Sequence, residues 1–187
     1  DERMNGTCAG GTGAFIDQMA TLLNVSLEEM DQLSLKSTRI YPIASRCGVF
    51  AKTDIQPLLN QGAKKEDVAA SIFQAVCNQT IAGLAQGKRI KGNVLFLGGP
   101  LTYNLGLRKR FVETLHLKEE CALFPSYGTI SVALGTAFYA SKQNKSFTYN
   151  EIIDLLEKAI NAPLDISTTS PLFKDKEEYK EFVKRHE

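Results

Sequence analysis

Residues 93–100 read Asn-Val-Leu-Phe-Leu-Gly-Gly-Pro, a continuous apolar run that ends in a glycine pair. Because its apolar residues do not alternate with polar ones, residues 93–97 are predicted to form a strand that is buried on both faces. A second short strand is predicted at residues 122–125. Segments with helical periodicity surround both strands, so the predicted fold class is α/β, with a sheet covered by helices.

Most of the chain outside these strands carries apolar residues at helical spacing. Capping-box patterns at Ser26 and Thr148, each with Glu three residues later, predict the starts of two helices. Residues 39–50 are expected to be irregular. Helices are expected over residues 12–23, 53–60, 65–86, 104–115, 129–140 and 174–187 and directly after the two capping boxes.

The composition narrows the class of protein. The chain has 187 residues, is 43% hydrophobic and carries a formal net charge of +1, which gives no electrostatic signature for a nucleic acid or an anionic membrane. No apolar run approaches the roughly 18 residues that a membrane-spanning helix needs. The four cysteines are too few for a disulfide scaffold and include no Cys-x-x-Cys pair. We therefore expect a cytoplasmic protein without a nucleic-acid or membrane partner.

The first candidate site is the glycine-rich turn at residues 8–13, Cys-Ala-Gly-Gly-Thr-Gly, just before a predicted helix. Glycines allow a ligand to approach the backbone, and a helix N-terminus offers unpaired N–H donors and positive potential. Such a place suits a phosphate or the anionic sulfur of a metal-bound thiolate, so Cys8 is a candidate ligand. A plain glycine-rich turn remains the alternative.

Two further candidates lie later in the chain. Cys47 stands in an irregular loop before a helix, although a lone cysteine is more often structural. Gly98 and Gly99 end the buried strand and precede a helix with Asn104 at its start, which leaves room for a flat ring or a phosphate at the strand's carboxyl end. Turns of this kind without a ligand are at least as common.

The remaining polar and cysteine residues suggest no other chemistry. The two histidines, His116 and His186, are too isolated for a zinc site or a Ser-His-Asp triad, and the P-loop pattern is absent. Cys77 and Cys121 are expected in the core. Glu28, Glu29 and Asp31 are expected on a solvated helix face.

The motifs occur in an order that resembles a known family. Residues 4–17 read Met-Asn-Gly-Thr-Cys-Ala-Gly-Gly-Thr-Gly-Ala-Phe-Ile-Asp, and residues 46–51 read Arg-Cys-Gly-Val-Phe-Ala. With Gly98-Gly99, Asn104 and Ala-Leu-Gly-Thr-Ala at 133–137, the series resembles the activators of 2-hydroxyacyl-CoA dehydratases and benzoyl-CoA reductases. One mild departure is Cys-Ala-Gly-Gly where the family has Cys-Ala-Ala-Gly.

The resemblance implies the actin-like, ribonuclease H-like fold of acetate and sugar kinases, Hsp70 chaperones and actin. It also implies ATP or ADP with Mg as nucleotide, and ATP hydrolysis that drives a low-potential electron into a CoA-thioester dehydratase or reductase. The implied partners are a second copy or a tandem module, that acyl-CoA enzyme, and an electron donor such as ferredoxin or flavodoxin.

The resemblance also assigns residues. Cys8 and Cys47 match the ligands of a 4Fe–4S cluster that is held between two modules. Since such a cluster usually takes four thiolates, two suitable cysteines per chain require a partner to supply the rest. Gly98 and Gly99, with Asn104 beyond them, match the adenosine-side motif. The glycine turn after the first ligand is matched by Gly11, Thr12 and Gly13.

The phosphate-loop motifs of the family's N-terminal half do not occur in this sequence. We therefore expect residues 1–141 to be the C-terminal half of one ATPase module, which alone does not hydrolyse ATP. Residues 142–187 are expected to be a helical extension and a connector between modules. Two alternatives remain: a redox-silent regulatory or scaffold module of the same fold, and a small-molecule kinase of that fold.

Overall fold

The computed structural model describes residues 2–3, 12–44, 48–143, 146–162 and 171–186. It divides into two compact units, Asp1–Lys142 and Gln143–Glu187. Helices dominate both units. The helices are α1 Thr12–Leu23, α2 Leu27–Leu35, α3 Gly48–Asn60, α4 Lys65–Ala85, α5 Gly99–Tyr103, α6 Leu105–Thr114, α7 Ser131–Ser141, α8 Tyr149–Asn161 and α9 Lys176–His186.

Two parallel strands, β1 Val94–Leu95 and β2 Ala122–Leu123, form the sheet of the described chain. Val94 is opposite Ala122 and Leu95 is opposite Leu123, and the Phe96 N–H extends the pairing by donating to the Leu123 carbonyl at 2.9 Å. The strand at 93–97 is therefore shorter than predicted.

The prediction that this strand is buried on both faces is wrong. Phe96 is buried between the rings of Phe111 and Phe124, at centroid distances of 5.6 and 4.7 Å. Leu95, by contrast, is 50% exposed. Since successive strand residues point to opposite faces, helices cover the face of Phe96, while the other face stays open among the described residues.

The core of the first unit is built around α4. Helices α1, α2, α3 and α6 pack against it, and its residues from Asp67 to Phe73 are all buried. Contrary to the expectation from the sequence, this 21-residue helix is long and apolar enough to cross a membrane by length and composition alone, but more than half of its apolar window is buried in this core. It ends where Gln86 and Gly87 take left-handed backbone angles, and the Arg3 guanidinium donates to the carbonyls of Leu84 and Ala85 in its last turn.

Local signals located several helix ends correctly. The Ser26 hydroxyl accepts from the Glu29 N–H at 3.0 Å, and Thr148 and Glu151 form a reciprocal capping box, so both capping predictions are confirmed. Two predictions are wrong. The third helix begins at Gly48, not at residue 53, and a short helix, α5, follows β1 where only a break was expected.

The second unit contains α8 and α9. Its described aromatic contacts centre on Phe173, whose ring lies 5.3 Å from the ring of Tyr179 and 5.3 Å from that of Phe182. Ile152, Leu155, Leu156 and Ile160 leave one side of α8 apolar and exposed.

Candidate functional site

A cavity of about 570 Å³ opens between α1, α2, α5 and α6. It lies at the carboxyl end of β1, where α5 follows the strand, and this is the edge at which α/β sheets bind ligands. Its lining residues are Gly13, Ile16, Asp17, Leu27, Glu28, Asp31, Gln32, Gly99, Pro100, Tyr103, Asn104 and Leu105.

Residues from two separate sequence motifs meet in this cavity. Gly13 lies in the first turn of α1, and a Cβ built on it would lie 3.9 Å from Cγ of Pro100. Gly99 and Asn104 line the same cavity, although they are more than 80 residues further along the chain. Gly13 and Gly99 are thus neighbours in the fold.

The other predicted site residues fall beside the cavity or outside the described residues. Thr12 is the first residue of α1, and Gly98 directly precedes α5. Cys8, Gly11 and Cys47 lie outside the described residues.

Gly98 holds the turn between β1 and α5. Its φ of 101° belongs to the region that favours glycine, and its N–H donates to the Gly128 carbonyl at 3.0 Å. Gly128 in turn lies so near Thr102 that an added Cβ would come within 2.6 Å of the Thr102 hydroxyl. The backbone angle of Gly98 and the closeness of Gly128 to Thr102 therefore both favour glycine.

Side-chain hydrogen bonds fix α5 against α6. Asn104 donates through its backbone N–H and through Nδ2 to the Pro100 carbonyl, each at 3.0 Å. Arg108 donates to the carbonyls of Leu101, at 2.6 Å, and of Thr102, and its guanidinium lies 4.8 Å from the centre of the Phe124 ring. These bonds occupy carbonyls at the end of a helix of five residues, so this wall of the cavity is held in place.

Asp31 has a different place from the one expected. Its side chain is only 5% exposed, and it accepts from the N–H groups of Leu105 at 3.0 Å and Gly106 at 2.8 Å. An N-terminal cap of α6 is therefore supplied by α2, because Asn104 makes no side-chain cap of its own. The solvated-face prediction is wrong for Asp31.

Gly106 allows this cap to form. A Cβ built there would lie 1.8 Å from the Ser34 hydroxyl, 3.1 Å from the Ser34 Cβ and 3.2 Å from Oδ1 of Asp31. The two helices can approach this closely only with glycine in α6. The contact between Asp31 and Gly106 has no local sequence signal, because the two residues are 75 positions apart.

The lining suits a flat heterocycle better than a phosphate. Ile16, Leu27 and Pro100 supply apolar walls, and the Tyr103 ring at the mouth is 73% exposed and available to stack. The charged residues of the lining, Asp17, Glu28 and Asp31, are all acidic. Carboxylates accept hydrogen bonds from an exocyclic amino group but repel a phosphate.

The chain segments that carry the two predicted ligands lead into helices that touch. Helix α1 begins four residues after Cys8, and α3 begins directly after Cys47. A Cβ built on Gly48, the first residue of α3, would lie 3.6 Å from the Phe15 ring and 3.6 Å from Oε1 of Gln18 on α1. The N-terminal turn of α3 therefore packs on the first turns of α1.

The segment before Cys47 is anchored to α4. The Asp67 carboxylate accepts from the N–H groups of Thr38 at 2.8 Å and Arg39 at 3.0 Å, and the Ser71 hydroxyl accepts from the Tyr41 N–H at 2.8 Å. The Thr38 N–H, and after it the Arg39 N–H, holds the pKa of Asp67 below its ordinary value, while burial opposes this shift.

Among the described residues, no group of three or more His, Cys, Asp or Glu side chains could hold a metal ion. Cys77 is fully buried in the core, as predicted, and burial raises the pKa of its thiol to about 11. Cys121 is only half-buried, so its placement in the core is wrong.

Comparison with known proteins finds a family model and relatives that match this chain. Residues 1–140 match the BadF/BadG/BcrA/BcrD ATPase family. The chain is 36% identical over 141 residues to the (R)-2-hydroxyglutaryl-CoA dehydratase activating ATPase of Acidaminococcus fermentans, which covers 75% of this chain and 52% of that relative.

Two solved structures are similar. Component A of the A. fermentans (R)-2-hydroxyglutaryl-CoA dehydratase has a TM-score of 0.64 at 34% identity, over 73% of this chain and 51% of that one. The second is the activator of the 2-hydroxyisocaproyl-CoA dehydratase from Clostridium difficile, with bound ADPNP. Its TM-score is 0.62 at 28% identity, and the match covers 77% of this chain and 55% of that one. The predicted fold, the helix-rich half of an actin-like ATPase domain, is confirmed. The chain spans about half the length of the curated relatives it matches.

Proposed function

The chain belongs to the BadF/BadG/BcrA/BcrD ATPase family, and from that premise we propose that it forms the adenosine-binding half of an ATP-dependent, iron–sulfur activator. In this proposal the complete protein uses ATP hydrolysis to deliver a low-potential electron to a 2-hydroxyacyl-CoA dehydratase or a benzoyl-CoA reductase. The nucleotide's adenine occupies the cavity between α1, α2, α5 and α6.

The cavity itself carries this proposal. It brings Gly13 of the first glycine motif beside Gly99, Pro100 and Asn104 of the second, at the carboxyl end of β1. Because the lining is acidic and apolar, the base fits inside it and the phosphates must extend beyond it, toward the N-terminus of α1. Tyr103 stacks on the base in this arrangement.

A titration of the full chain with ADP tests this placement. We expect ADP to shift the backbone amide NMR signals of Gly13, Gly99 and Asn104. The Tyr103→Ala variant should bind ADP about tenfold more weakly, because stacking of a base on an aromatic ring contributes about 1–3 kcal/mol. The Tyr103→Phe variant, which keeps the ring, should bind as the parent chain does.

Tyr149→Ala in the second unit is the matched control, since it removes an equally exposed tyrosine and should leave ADP affinity unchanged. Shifts that avoid the cavity residues, with no effect of Tyr103→Ala, would contradict the proposed position of the adenine. The kinase alternative predicts an additional sugar or acid substrate that changes these shifts, whereas the scaffold alternative predicts no nucleotide binding.

We further propose that Cys8 and Cys47 ligate a 4Fe–4S cluster together with the same pair from a second module, as a homodimer or in tandem. The packing of α3's first residue on the first turns of α1 supports this, because the helices that follow the two cysteines are neighbours. Helix N-termini also stabilise thiolates. Such a cluster supplies one-electron transfer at low potential.

Iron and sulfide analysis after anaerobic reconstitution tests the ligand assignment. We expect about four irons per pair of modules, lost in both Cys8→Ala and Cys47→Ala. Cys121→Ala, which removes another accessible thiol, is the matched control and should keep the iron. Iron that persists in either of the first two variants would contradict the assignment, and an iron-free folded sample would favour the redox-silent scaffold.

The proposed partners follow from this role. They are a CoA-thioester dehydratase or reductase as electron acceptor and a ferredoxin or flavodoxin as donor, in the cytoplasm. Helix α7 supports the presence of further polypeptide in the complete ATPase. Its own residues are apolar on all sides, yet Val132, Phe138 and Tyr139 are largely exposed. A helix that is apolar on all sides is normally enclosed by protein.

A further inference from the structure

A second cavity, of about 500 Å³, lies in the first unit away from the proposed adenine site. Two loops form it, the one that enters β1 and the one between α6 and β2. It is lined by Ile81, Lys88, Arg89, Ile90, Lys91, Gly92, Thr114, Leu115, His116, Leu117, Lys118 and Cys121.

The topology puts this cleft at the opposite edge of the sheet from the adenine site. Its residues 88–92 precede β1 at Val94, and Lys118 and Cys121 precede β2 at Ala122. Because the strands are parallel, their amino ends share one edge and their carboxyl ends share the other. The cleft is therefore distinct from the cavity at the carboxyl end of β1.

The cleft is basic in a chain that is nearly neutral. Lys88, Arg89, Lys91 and Lys118 line it beside His116, and none of its lining residues is Asp or Glu, whereas the whole chain has a net charge of +1. The Lys118 ammonium lies 3.9 Å from a carboxylate oxygen of Glu120, which offsets one of these charges. Arg89 and Lys91 alone already give the cleft a positive charge that favours an anionic ligand.

The floor of the cleft is apolar. Ile81, Ile90, Leu115 and Leu117 are each partly buried and line it together with the half-buried Cys121. A concave, apolar floor beneath a basic rim is typical of a small-molecule site, and the volume lies within the usual range of about 300–1,000 Å³ for such sites. A docking surface for an acidic protein needs the basic rim but not the apolar floor.

We propose that this cleft binds a small organic phosphate, with the phosphate held by Arg89 and Lys91 and an apolar body, such as an aromatic ring, seated on Ile90 and Leu117. Arg89 supplies a planar fork of donors that matches phosphate oxygens, and Lys91 supplies a compact charge. This site is separate from the proposed adenine site and does not depend on it.

The test is a titration of the full chain with 1-naphthyl phosphate, followed by backbone amide NMR. We expect shifts at Gly92, Leu117 and Cys121 and none at Gly13 or Tyr103. Inorganic pyrophosphate should bind the same residues more weakly, because it lacks the apolar body. Pyrophosphate affinity equal to that of naphthyl phosphate would overturn the role of the floor.

The variant with Arg89→Gln and Lys91→Gln should lose at least about tenfold in affinity for naphthyl phosphate, since hydrogen bonds to charged groups are the stronger ones. Lys36→Gln with Lys52→Gln is the matched control, because it removes the same charge from exposed residues outside the cleft and should bind as the parent does. Three results would each overturn the proposal. They are NMR shifts confined to Gly13 and Tyr103, an equal loss of affinity in both double variants, and no shift up to about 5 mM ligand. A failure at this cleft leaves ADP binding unaffected, so the two proposals are tested separately.

Discussion

Asp31 on α2 caps the first turn of α6, where its Oδ1 accepts from the Gly106 N–H at 2.8 Å and its Oδ2 from the Leu105 N–H at 3.0 Å. This contact joins two walls of the proposed adenine cavity, because Asp31 and Leu105 both line it. A residue that one would assign to solvent from its helix face therefore sets the shape of the site.

Replacement of Asp31 by Ala should destabilise the first unit by about 2 kcal/mol, because it removes a cap and leaves the buried Gly106 N–H and the partly buried Leu105 N–H without their acceptor. Chemical denaturation measures this loss, and hydrogen exchange should show faster exchange at Leu105 and Gly106. Glu29→Ala on the same helix is the control, since Glu29 is exposed and its replacement should cost only a few tenths of a kcal/mol. An equal loss of unfolding free energy in the two variants would show that the Asp31 cap does not stabilise the fold.

Gly106→Ala tests the close approach of α2 and α6. The new Cβ would lie 1.8 Å from the Ser34 hydroxyl and within 3.2 Å of two further atoms, so we expect a loss of about 1–3 kcal/mol through overpacking. Ser34→Ala in the same chain should restore only part of it, because the Ser34 Cβ remains 3.1 Å away.

Gly135→Ala on α7 is the matched control for this substitution. No heavy atom lies within 4 Å of a Cβ built at Gly135, so alanine there should be neutral or should stabilise the helix by up to about 1 kcal/mol. The same thermal denaturation experiment reports both variants. A Gly106→Ala chain as stable as the control would mean that the helices separate at no cost.

The contrast between Ser26 and Asp31 shows which features the sequence could reveal. The Ser26 cap acts on Glu29, three residues away, and the spacing alone predicts it. The Asp31 cap acts on residues 74 and 75 positions away, and no local pattern encodes such a contact. The sequence predicts Gly13 and Gly99 from their glycine motifs and Asn104 from the start of the helix that follows, but their common cavity depends on tertiary packing.

The errors at the strand and at α3 have the same origin. The apolar side chains of Leu95 and Leu97 predict burial. Burial, however, depends on what covers the second face of the strand, and the described residues cover only the face of Phe96. The predicted start of α3 is too late because glycine is typical of loops, whereas Gly48 is here the first residue of the helix.

Asp67 should make the stability of the chain depend on pH in acid. Its pKa is lowered in the folded state from an ordinary value of 3.8, so its contribution is complete above about pH 4 and is lost as pH falls through the folded-state value. Asp67→Asn removes the charge that the Thr38 and Arg39 N–H groups stabilise. Near neutral pH it should therefore cost about 2 kcal/mol.

Urea denaturation at a series of pH values measures this effect. The stability difference between the parent chain and Asp67→Asn should shrink as pH falls from 4 toward 3. Glu66→Gln removes a carboxylate from the same first turn of α4 and is the control for the loss of a negative charge there. A difference that stays constant across this range would contradict the assigned shift.

The two described cysteines should differ sharply in reactivity. Burial raises the pKa of the Cys77 thiol to about 11, from an ordinary 9.0, so both access and thiolate fraction are low, whereas Cys121 is half-buried. With iodoacetamide at about pH 8, Cys121 should be alkylated at least tenfold faster than Cys77, as followed by peptide mass spectrometry. In denaturant the two rates should converge, because the difference belongs to the fold. Equal rates in the folded chain would mean that α4 opens readily at Cys77, and the core built around that helix would then need to be reconsidered.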